Sequence, residues 1–304
     1  MNTLIVGAGA MGGLVAYLLH RSGASVMLVD KDPRLVQAVG RGGLRVEGIS
    51  GTEILPVPIG DRPTTRTPPE LIVILVKCHD TADAAQAAAP FADARTLVLS
   101  LQNGIGNEEI LAATFGAERV AGGATNLGAA LLAPGHLLHT AWGDTAIAPF
   151  DPLAAERTAA AAAFLSRHGI KTTVADDLRS LRWSRVLVQI GVGAIASLTR
   201  VRHGNVLNLD PARRLMRLAV EETARILQAA NIKLTYNSPV TQVEQYLAHT
   251  ADHLPTMLQD LFKKRRTEIE ALNGAVVKLA ESLGLDAPVN RTLMLLVQTL
   301  EQSN

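Results

Sequence analysis

The chain has 304 residues, of which 48% are hydrophobic, 19% charged and 3% aromatic. This composition supplies apolar material for a large core and excludes a disordered chain, a collagen-like repeat and a coiled coil. The 29 Lys and Arg residues nearly balance 28 Asp and Glu residues, for a formal charge of +1. Because no basic tail or stripe accompanies this balance, we expect no nucleic-acid partner. The length favours two domains.

Two further features bear on location. The apolar N-terminus lacks the basic segment of a signal peptide and carries several glycines, so a strand, turn and helix explain it better. No uncharged apolar run is long enough to span a bilayer, and we expect no membrane partner. The single cysteine, Cys78, favours a reducing compartment, which predicts a cytoplasmic protein.

The first half of the chain alternates short apolar runs with helical stretches. The runs at residues 4–6, 26–29, 71–76 and 97–101 predict parallel strands of a sheet covered on both faces. Residues 134–148 predict antiparallel additions at one edge, followed by a helix over 156–168 and a last strand over 170–174. We therefore expect an α/β protein with an N-terminal, Rossmann-type doubly wound sheet over residues 1–176.

The remainder, residues 177–304, has apolar positions at helical spacing and predicts an all-α second domain. One stripe runs from residue 183 to 198, with Arg185, Gln189 and Gly193 on another face of the same predicted helix. Gly191 and Gly193 each cost a helix about 1 kcal/mol relative to alanine, which indicates close approach by a backbone or a ligand. Ordinary helix packing also explains them.

A glycine-rich turn directly follows the first predicted strand and opens a helix. Its residues are Gly7, Ala8, Gly9, Ala10, Met11 and Gly12. This is the dinucleotide fingerprint in its required context. Gly7 permits the tight turn, Gly9 lets backbone N–H groups approach a pyrophosphate, and Gly12 lets helix and strand pack closely.

An acidic residue, Asp30, closes the second strand. At about 20 residues past the glycines, an acid accepts hydrogen bonds from the adenosine ribose, which favours NAD over NADP. Lys31 beside it can instead hold a 2′-phosphate. A sheet-end acid with a solvated lysine remains the structural alternative.

Polar residues also end the third and fourth apolar runs. Lys77 and Gln102-Asn103-Gly104 lie at carboxyl ends of strands, where open α/β sheets bind ligands. Both Lys77 and Asn103 can therefore face a nicotinamide. A solvated lysine and an Asn-Gly turn are equally consistent with the pattern.

A second helical stretch is predicted from Thr256 through residue 283, and its apolar stripe places Arg265 and Glu268 among core residues. A charge on such a stripe needs a partner. Asp260 precedes Glu268 by about 12 Å along a helix axis, so both can reach one crevice. Alternatively, these carboxylates pair with Arg265 or Lys264.

With these motifs identified, the chain resembles the ketopantoate reductase (2-dehydropantoate 2-reductase) family over nearly its whole length. The resemblance rests on the glycine turn, on Val76-Lys77 with Gln102-Asn103-Gly104, and on Pro134-Gly135-His136. It rests most specifically on Met257-Leu258-Gln259-Asp260 followed by Arg266-Thr267-Glu268-Ile269-Glu270 and Asn273-Gly274.

The resemblance implies reduction of a branched 2-oxo acid to its 2-hydroxy acid by NADP or NAD, in a cleft between two domains, as in pantothenate biosynthesis. It favours NADP, whereas Asp30 favours NAD. Lys77 and Asn103 would contact cofactor and substrate, and Glu268 would lie near the nicotinamide ribose. Further implied contacts are Ala129 for the cofactor and Thr256 and Asp260 for the substrate.

The departures from the family pattern fall on the substrate side. Arg185 replaces a catalytic lysine, Gln189 and Gly193 replace two asparagines, and His203 replaces a third. Arginine stays protonated, so Arg185 can stabilise an alkoxide or clamp a carboxylate but is a poor acid. The proton would then come from Lys77, from His203 or from a water held by Glu268.

We therefore predict an NAD(P)-dependent oxidoreductase that reduces ketopantoate or a close analogue. The alternative is a nucleotide-binding protein of the same fold without turnover. No metal is expected, because no Cys or carboxylate completes a ligand set around His249 and His253, four residues apart. A homodimer formed through the helical domain is possible on these patterns.

Overall fold

The computed structural model describes residues 1–64 and 67–303. The chain forms two compact units, Met1–Gln102 with Asn107–Leu178, and Asn103–Gly106 with Arg179–Asn304. The predicted division after residue 176 therefore misses one feature. The short segment Asn103–Gly106 is taken from the middle of the first domain and belongs to the second unit.

The first unit is built on an eight-stranded sheet of order β12-β11-β8-β7-β6-β1-β2-β5. Its strands are β1 (Thr3–Val6), β2 (Val26–Val29), β5 (Ile59–Gly60), β6 (Leu71–Ile74), β7 (Leu97–Ser100), β8 (Val120–Thr125), β11 (Thr145–Pro149) and β12 (Thr172–Val174). Its helices are α1 (Ala10–Arg21), α2 (Pro33–Gly42), α3 (Thr81–Ala88), α4 (Asn107–Phe115) and α5 (Ala155–Arg167). Only β8 and β11 pair antiparallel; the other strand pairs of this sheet are parallel. The predicted doubly wound α/β sheet is confirmed.

The register of this sheet brings the ends of three strands level. Val6 of β1 pairs with Val29 of β2 on one side and with Ile74 of β6 on the other. All residues of these three strands are buried. Side chains that follow the strands, including Asp30 and Lys77, therefore leave the sheet at its carboxyl edge, where α/β proteins bind ligands.

A separate four-stranded sheet completes the first unit, in the order β4-β3-β10-β9. Its strands are β3 (Leu44–Gly48), β4 (Glu53–Leu55), β9 (Gly128–Ala133) and β10 (His136–Ala141). The predicted edge additions over 134–148 are thus only partly right, because β11 joins the main sheet but β10 does not. Leu137 of β10 packs on α1, where a Cβ on Gly13 would lie 2.6 Å from Leu137 Cδ1. Strand β10 therefore packs over α1 as part of the second sheet and does not extend the edge of the main sheet.

The second unit consists of helices. They are α6 (Leu178–Ile190), α7 (Gly193–Thr199), α8 (His203–Asn208), α9 (Asp210–Ala229), α10 (Pro239–His249), α11 (Thr256–Phe262), α12 (Asn273–Ser282) and α13 (Pro288–Ser303). The predicted all-α second domain is confirmed. Within the part of the chain that the structure describes, no helix is both long and apolar enough to cross a membrane.

The first long helix predicted in this unit is interrupted. The stretch over 183–198 divides into α6 and α7 at Gly191 and Val192. A Cβ on Gly191 would lie 2.9 Å from side-chain atoms of both Val220 and Val243. The close approach predicted at Gly191 is therefore real, but two valine side chains make it. Gly193 has no such restriction, because its nearest neighbour, Met257 Cε, would be 3.5 Å from a Cβ.

The second predicted long helix is also wrong in its continuity. Helix α11 ends at Phe262, and Lys264 adopts a left-handed φ of 52°. Arg265, predicted to lie in the core, is exposed. Glu268 is buried outside any α-helix, immediately before a short 3-10 turn. The 12 Å spacing that a continuous helix would give Asp260 and Glu268 therefore does not apply.

Candidate active site

The glycine-rich turn connects β1 to α1 and has the close packing that the motif requires. Gly7 has a φ of 101°, and a Cβ on it would lie 2.8 Å from the backbone of Leu75. A Cβ on Gly12 would overlap the carbonyl oxygen of Gly7. A Cβ on Gly9 would instead meet no atom within 4 Å. The first N–H groups of α1 have no intrahelical partner, so this open side fits a pyrophosphate.

Asp30 follows β2 and is held against the same turn. One carboxylate oxygen accepts a hydrogen bond from the Ala8 backbone N–H at 2.7 Å, and the other accepts from the Asp32 N–H at 2.8 Å. Each oxygen keeps a second lone pair, so the carboxylate can still accept hydrogen bonds from a ribose diol.

Lys31 points to a different partner. Its ammonium group lies 2.6 Å from an Asp80 carboxylate oxygen, and this hydrogen bond is the main reason that the pKa of Lys31 is raised. The Lys31 side chain is otherwise largely exposed. A lysine that already has a carboxylate partner is a weaker candidate for holding a 2′-phosphate.

The half-buried Lys77 lies in backbone held by a polar network that the sequence patterns did not reveal. The Gln102 side-chain amide donates to the Val76 carbonyl at 2.9 Å and to the Thr81 hydroxyl at 2.8 Å. Thr81 donates in turn to Asn107 Oδ1 at 2.9 Å. Thr81, Gln102 and Asn107 are buried. The network therefore fixes the chain on both sides of Lys77.

Asn103 is half-buried and lies on the segment that belongs to the helical unit. The buried guanidinium of Arg182 donates to the Gly104 carbonyl oxygen. The Ile105 N–H donates to the Ala271 carbonyl at 2.9 Å. These two hydrogen bonds hold the segment, and with it Asn103, to residues of the second unit.

Two of the departures from the family pattern meet at one tyrosine ring. The Cζ atom of Arg185 lies 5.9 Å from the ring centroid of Tyr246. The imidazole of His203 lies 5.7 Å from the same ring, centroid to centroid. Sequence reasoning missed Tyr246, because the residues that bring it to Arg185 and His203 lie on separate helices and share no local motif.

His203 is buried and has a defined tautomer. Thr250 donates its hydroxyl proton to the Tyr246 carbonyl at 2.7 Å, so its oxygen must accept the hydrogen bond from His203 Nδ1, also at 2.7 Å. The proton is on Nδ1, and Nε2 carries a lone pair. Burial and the neighbouring His253 lower the pKa of His203 to about 4. The residue is therefore neutral near pH 7 and suited to accepting a hydrogen bond.

The remaining candidates of the helical unit fall into two groups. Gln189 is half-buried on α6, one turn after Arg185, and its Oε1 is buried without a hydrogen-bond partner among the described residues. Asp260 and Glu268 are buried carboxylates, whereas Thr256 is exposed at the first turn of α11. The apolar stripe pointed to Glu268 and the motif resemblance pointed to both carboxylates, but the continuous helix predicted between them is not formed.

Two last predictions concern the second sheet and metals. Ala129 lies on β9, half-buried, opposite His139 of β10. His249 ends α10, so it and His253 do not share a helix. Within residues 1–64 and 67–303, no three or more His, Cys, Asp or Glu side chains are grouped so that they could hold a metal ion.

A glycine turn of this kind in a doubly wound sheet, within a chain that also contains an all-helical unit, is typical of a nicotinamide-dependent oxidoreductase. Comparison with family models makes the assignment specific. Ketopantoate reductase PanE/ApbA matches residues 3–152, and Ketopantoate reductase PanE/ApbA C terminal matches residues 177–301. The chain belongs to the ketopantoate reductase family.

Individual relatives agree with this assignment. The 2-dehydropantoate 2-reductase of Halobacterium salinarum is 34% identical over 303 residues, covering 99% of each chain. The crystal structure of a ketopantoate reductase from Ralstonia eutropha superposes with a TM-score of 0.92 at 29% identity, covering 100% of this chain and 99% of that one. The structure of D-mandelate dehydrogenase with NADH and anilino(oxo)acetate superposes with a TM-score of 0.93 at 26% identity, covering 100% of this chain and 99% of that one. The predictions of family, fold and oxidoreductase class are confirmed.

Proposed function

We propose that this protein reduces ketopantoate or a close 2-oxo-acid analogue to the 2-hydroxy acid and that it prefers NADH. The observation that carries the proposal is a difference between the residues expected to bind the cofactor and those expected to bind the substrate. The dinucleotide-binding turn and Asp30 keep the geometry that the cofactor needs, whereas Arg185 and His203 alter the side chains expected to meet the substrate. The names of the curated relatives support the same reaction class.

The cofactor preference rests on Asp30 and Lys31. A carboxylate held at the glycine turn by the Ala8 and Asp32 N–H groups accepts hydrogen bonds from a ribose diol but repels a 2′-phosphate. The pairing of Lys31 with Asp80 makes this lysine a weaker candidate for holding a 2′-phosphate. The structure of D-mandelate dehydrogenase, to which this chain is similar, contains NADH, which supports a preference for NADH over NADPH.

On the substrate side, we assign Arg185 the role of anion binder. Guanidinium presents a planar pair of donors that matches a carboxylate, and it keeps its charge at any working pH. It would hold the substrate carboxylate or the alkoxide that forms when the bound cofactor supplies hydride to the ketone. Anilino(oxo)acetate, which is present in the structure of the similar D-mandelate dehydrogenase, has an amide carbonyl beside a carboxylate and is therefore an analogue of a 2-oxo acid.

The alkoxide needs a proton, and two of the candidate donors, Arg185 and His203, are unsuited to supply it. Arg185 cannot release one at neutral pH. His203 has a pKa near 4 and a lone pair on Nε2, so near pH 7 it is neutral and has no proton on Nε2 to donate. Lys77 or a water bound by Glu268 is left to supply it. We assign Asn103, Gln189, Thr256 and Asp260 to substrate or cofactor contacts, with Gly193 leaving room beside them.

The deciding experiment follows the oxidation of NADH and of NADPH at the nicotinamide absorbance with ketopantoate and a panel of 2-oxo acids. We expect turnover with at least one acid and a higher kcat/KM with NADH. Cofactor binding without oxidation by any acid would instead indicate a non-catalytic nucleotide-binding protein. The Lys77→Met variant tests the first of the two proton sources, because an unchanged kcat would exclude the lysine as the donor.

We also propose a cytoplasmic homodimer. The presence of a single cysteine, Cys78, supports a reducing compartment. Large apolar side chains exposed on α13, Leu295 and Leu296, support a contact surface in the helical unit. Sedimentation velocity would give the mass of a dimer, or of a monomer if this is wrong.

A further inference from the structure

We propose that Tyr246 is a positioning residue that sets the orientation of the Arg185 guanidinium and couples it to His203. The inference rests on the proposed function, since it concerns the group assigned to bind the substrate anion. Tyr246 belongs to none of the sequence motifs, and it contacts both side chains that depart from the family pattern, Arg185 and His203.

The first step is the ring contact. Arg185 Cζ lies 5.9 Å from the Tyr246 ring centroid, within the distance of about 6 Å at which a guanidinium is attracted to an aromatic face. Both side chains are half-buried. Partial loss of water strengthens such a contact compared with one on the surface. The ring therefore contributes to the placement of the long Arg185 side chain.

The second step is the backbone of the same residue. The Tyr246 carbonyl accepts the Thr250 hydroxyl proton at 2.7 Å, which leaves the Thr250 oxygen to accept from His203 Nδ1. The His203 ring also lies 5.7 Å from the Tyr246 ring, tilted by 46°. The Tyr246 ring thus contacts both Arg185 and His203, and the Tyr246 carbonyl acts on His203 only through the Thr250 hydroxyl.

An arginine needs this support more than a lysine does. A bidentate contact with a carboxylate requires a defined guanidinium plane, whereas an ammonium group acts as a point charge with rotating donors. Fixing the plane in advance lowers the entropy lost when the substrate binds. The dependence on Tyr246 should therefore be much smaller when Arg185 is replaced by lysine, which has no plane to orient.

The test compares Tyr246→Leu, which removes the aromatic face, with Tyr246→Phe, which keeps it. Gln245→Leu, at an exposed neighbouring position on α10, controls for changes to the helix. In Tyr246→Leu we expect KM for the 2-oxo acid to rise about 3- to 30-fold with kcat within about twofold, the range of a partly buried cation–π contact. Tyr246→Phe should restore most of the affinity.

A double-mutant cycle distinguishes positioning from a general structural effect. In the Arg185→Lys background, Tyr246→Leu should change KM by less than about twofold, because the two residues act as one unit. Additive effects of the two substitutions would overturn the proposal. So would an unchanged KM in Tyr246→Leu.

A binding measurement separates this proposal from the proposed function. Calorimetric titration of the NADH-loaded enzyme with oxamate, a 2-oxo-acid analogue that is not reduced, should show weaker binding to Tyr246→Leu than to the wild type. Equal binding, including no binding to either, would overturn the role of Tyr246. Oxamate binding that depends on Tyr246, without turnover of any 2-oxo acid, would instead refute the reductase activity alone.

Discussion

The carbonyl oxygen of Gly7 occupies the position that a side chain on Gly12 would need. Gly7 begins the turn that joins β1 to α1, and Gly12 lies in the first turn of α1. The helix can therefore start against the strand only when position 12 carries no Cβ. Gly9, between them, has open space where its side chain would be. One turn therefore contains a glycine required for folding and a glycine whose surroundings are free for a ligand.

This difference predicts separate effects for two identical substitutions. Gly12→Ala should destabilise the fold by about 2 kcal/mol or more, because backbone must move to accept the methyl group. Gly9→Ala should leave the melting temperature nearly unchanged but weaken NADH binding, because its methyl group enters the space of the pyrophosphate. Thermal unfolding and titration of NADH fluorescence measure the two effects. Equal stability losses in both variants would contradict the assignment.

A second prediction concerns acid stability. His203 has a pKa of about 4 in the folded protein against 6.5 for an ordinary histidine. Between these values the unfolded chain binds a proton that the native protein does not, so stability is full above pH 6.5 and falls as the pH drops towards 4. The loss from this residue is about 3 kcal/mol at most.

The matched variant is His203→Asn, which cannot titrate in this range. Denaturant unfolding of both proteins at several pH values between 4 and 7 should give a steeper loss of stability for the wild type. His253, whose pKa is also lowered by burial, is present in both proteins, so the His203→Asn curve shows the pH dependence that remains without His203. Parallel stability curves would show that His203 takes up its proton in the native state.

Much of the first unit was predictable because its signals are local. The fully apolar run at residues 71–74 forms β6, which is buried along its whole length, and the glycine turn follows β1 directly. Continuous apolar stripes misled in the second unit. The stripe through Gly191 continues across the break between α6 and α7. The valines that pack against Gly191, Val220 and Val243, come from distant parts of the chain.

The candidate site divides in the same way. Asp30 was identifiable from its spacing to the glycines, and its contact with the Ala8 N–H follows from the register of β1 and β2. Tyr246 was not identifiable, because its contact with Arg185 depends on how α6 and α10 are placed in the folded unit. The tautomer of His203 likewise depends on Thr250, whose hydroxyl is fixed only by the folded helix.

Asp30 and Lys31 allow a direct test of cofactor choice. Asp30→Asn keeps the shape of the side chain but removes its charge, so the preference for NADH over NADPH in kcat/KM should fall by roughly 10- to 100-fold. Lys31→Met is the control, because its ammonium pairs with Asp80 and an exposed pair contributes little. A large loss of NADPH activity in Lys31→Met would show that the lysine binds a 2′-phosphate.

The last prediction concerns the segment that carries Asn103. Arg182 is 3% exposed and donates to the Gly104 carbonyl, so Arg182→Gln should leave that oxygen poorly satisfied and loosen the segment. The Ile105 amide, bonded to Ala271, should then exchange about 10-fold faster or more, as loss of a buried hydrogen bond to a charged group predicts. Mass-spectrometric hydrogen exchange measures this directly.

The matched control is Arg179→Gln, which removes the same charge from an exposed position one turn earlier on α6. It should leave exchange at Ile105 unchanged, because exposed arginines contribute little to local stability. If Asn103 contacts the ligands, Arg182→Gln should also raise KM for the cofactor or the 2-oxo acid. Fast exchange at Ile105 with unchanged KM values would mean that Arg182 orders the segment but that Asn103 does not act in binding.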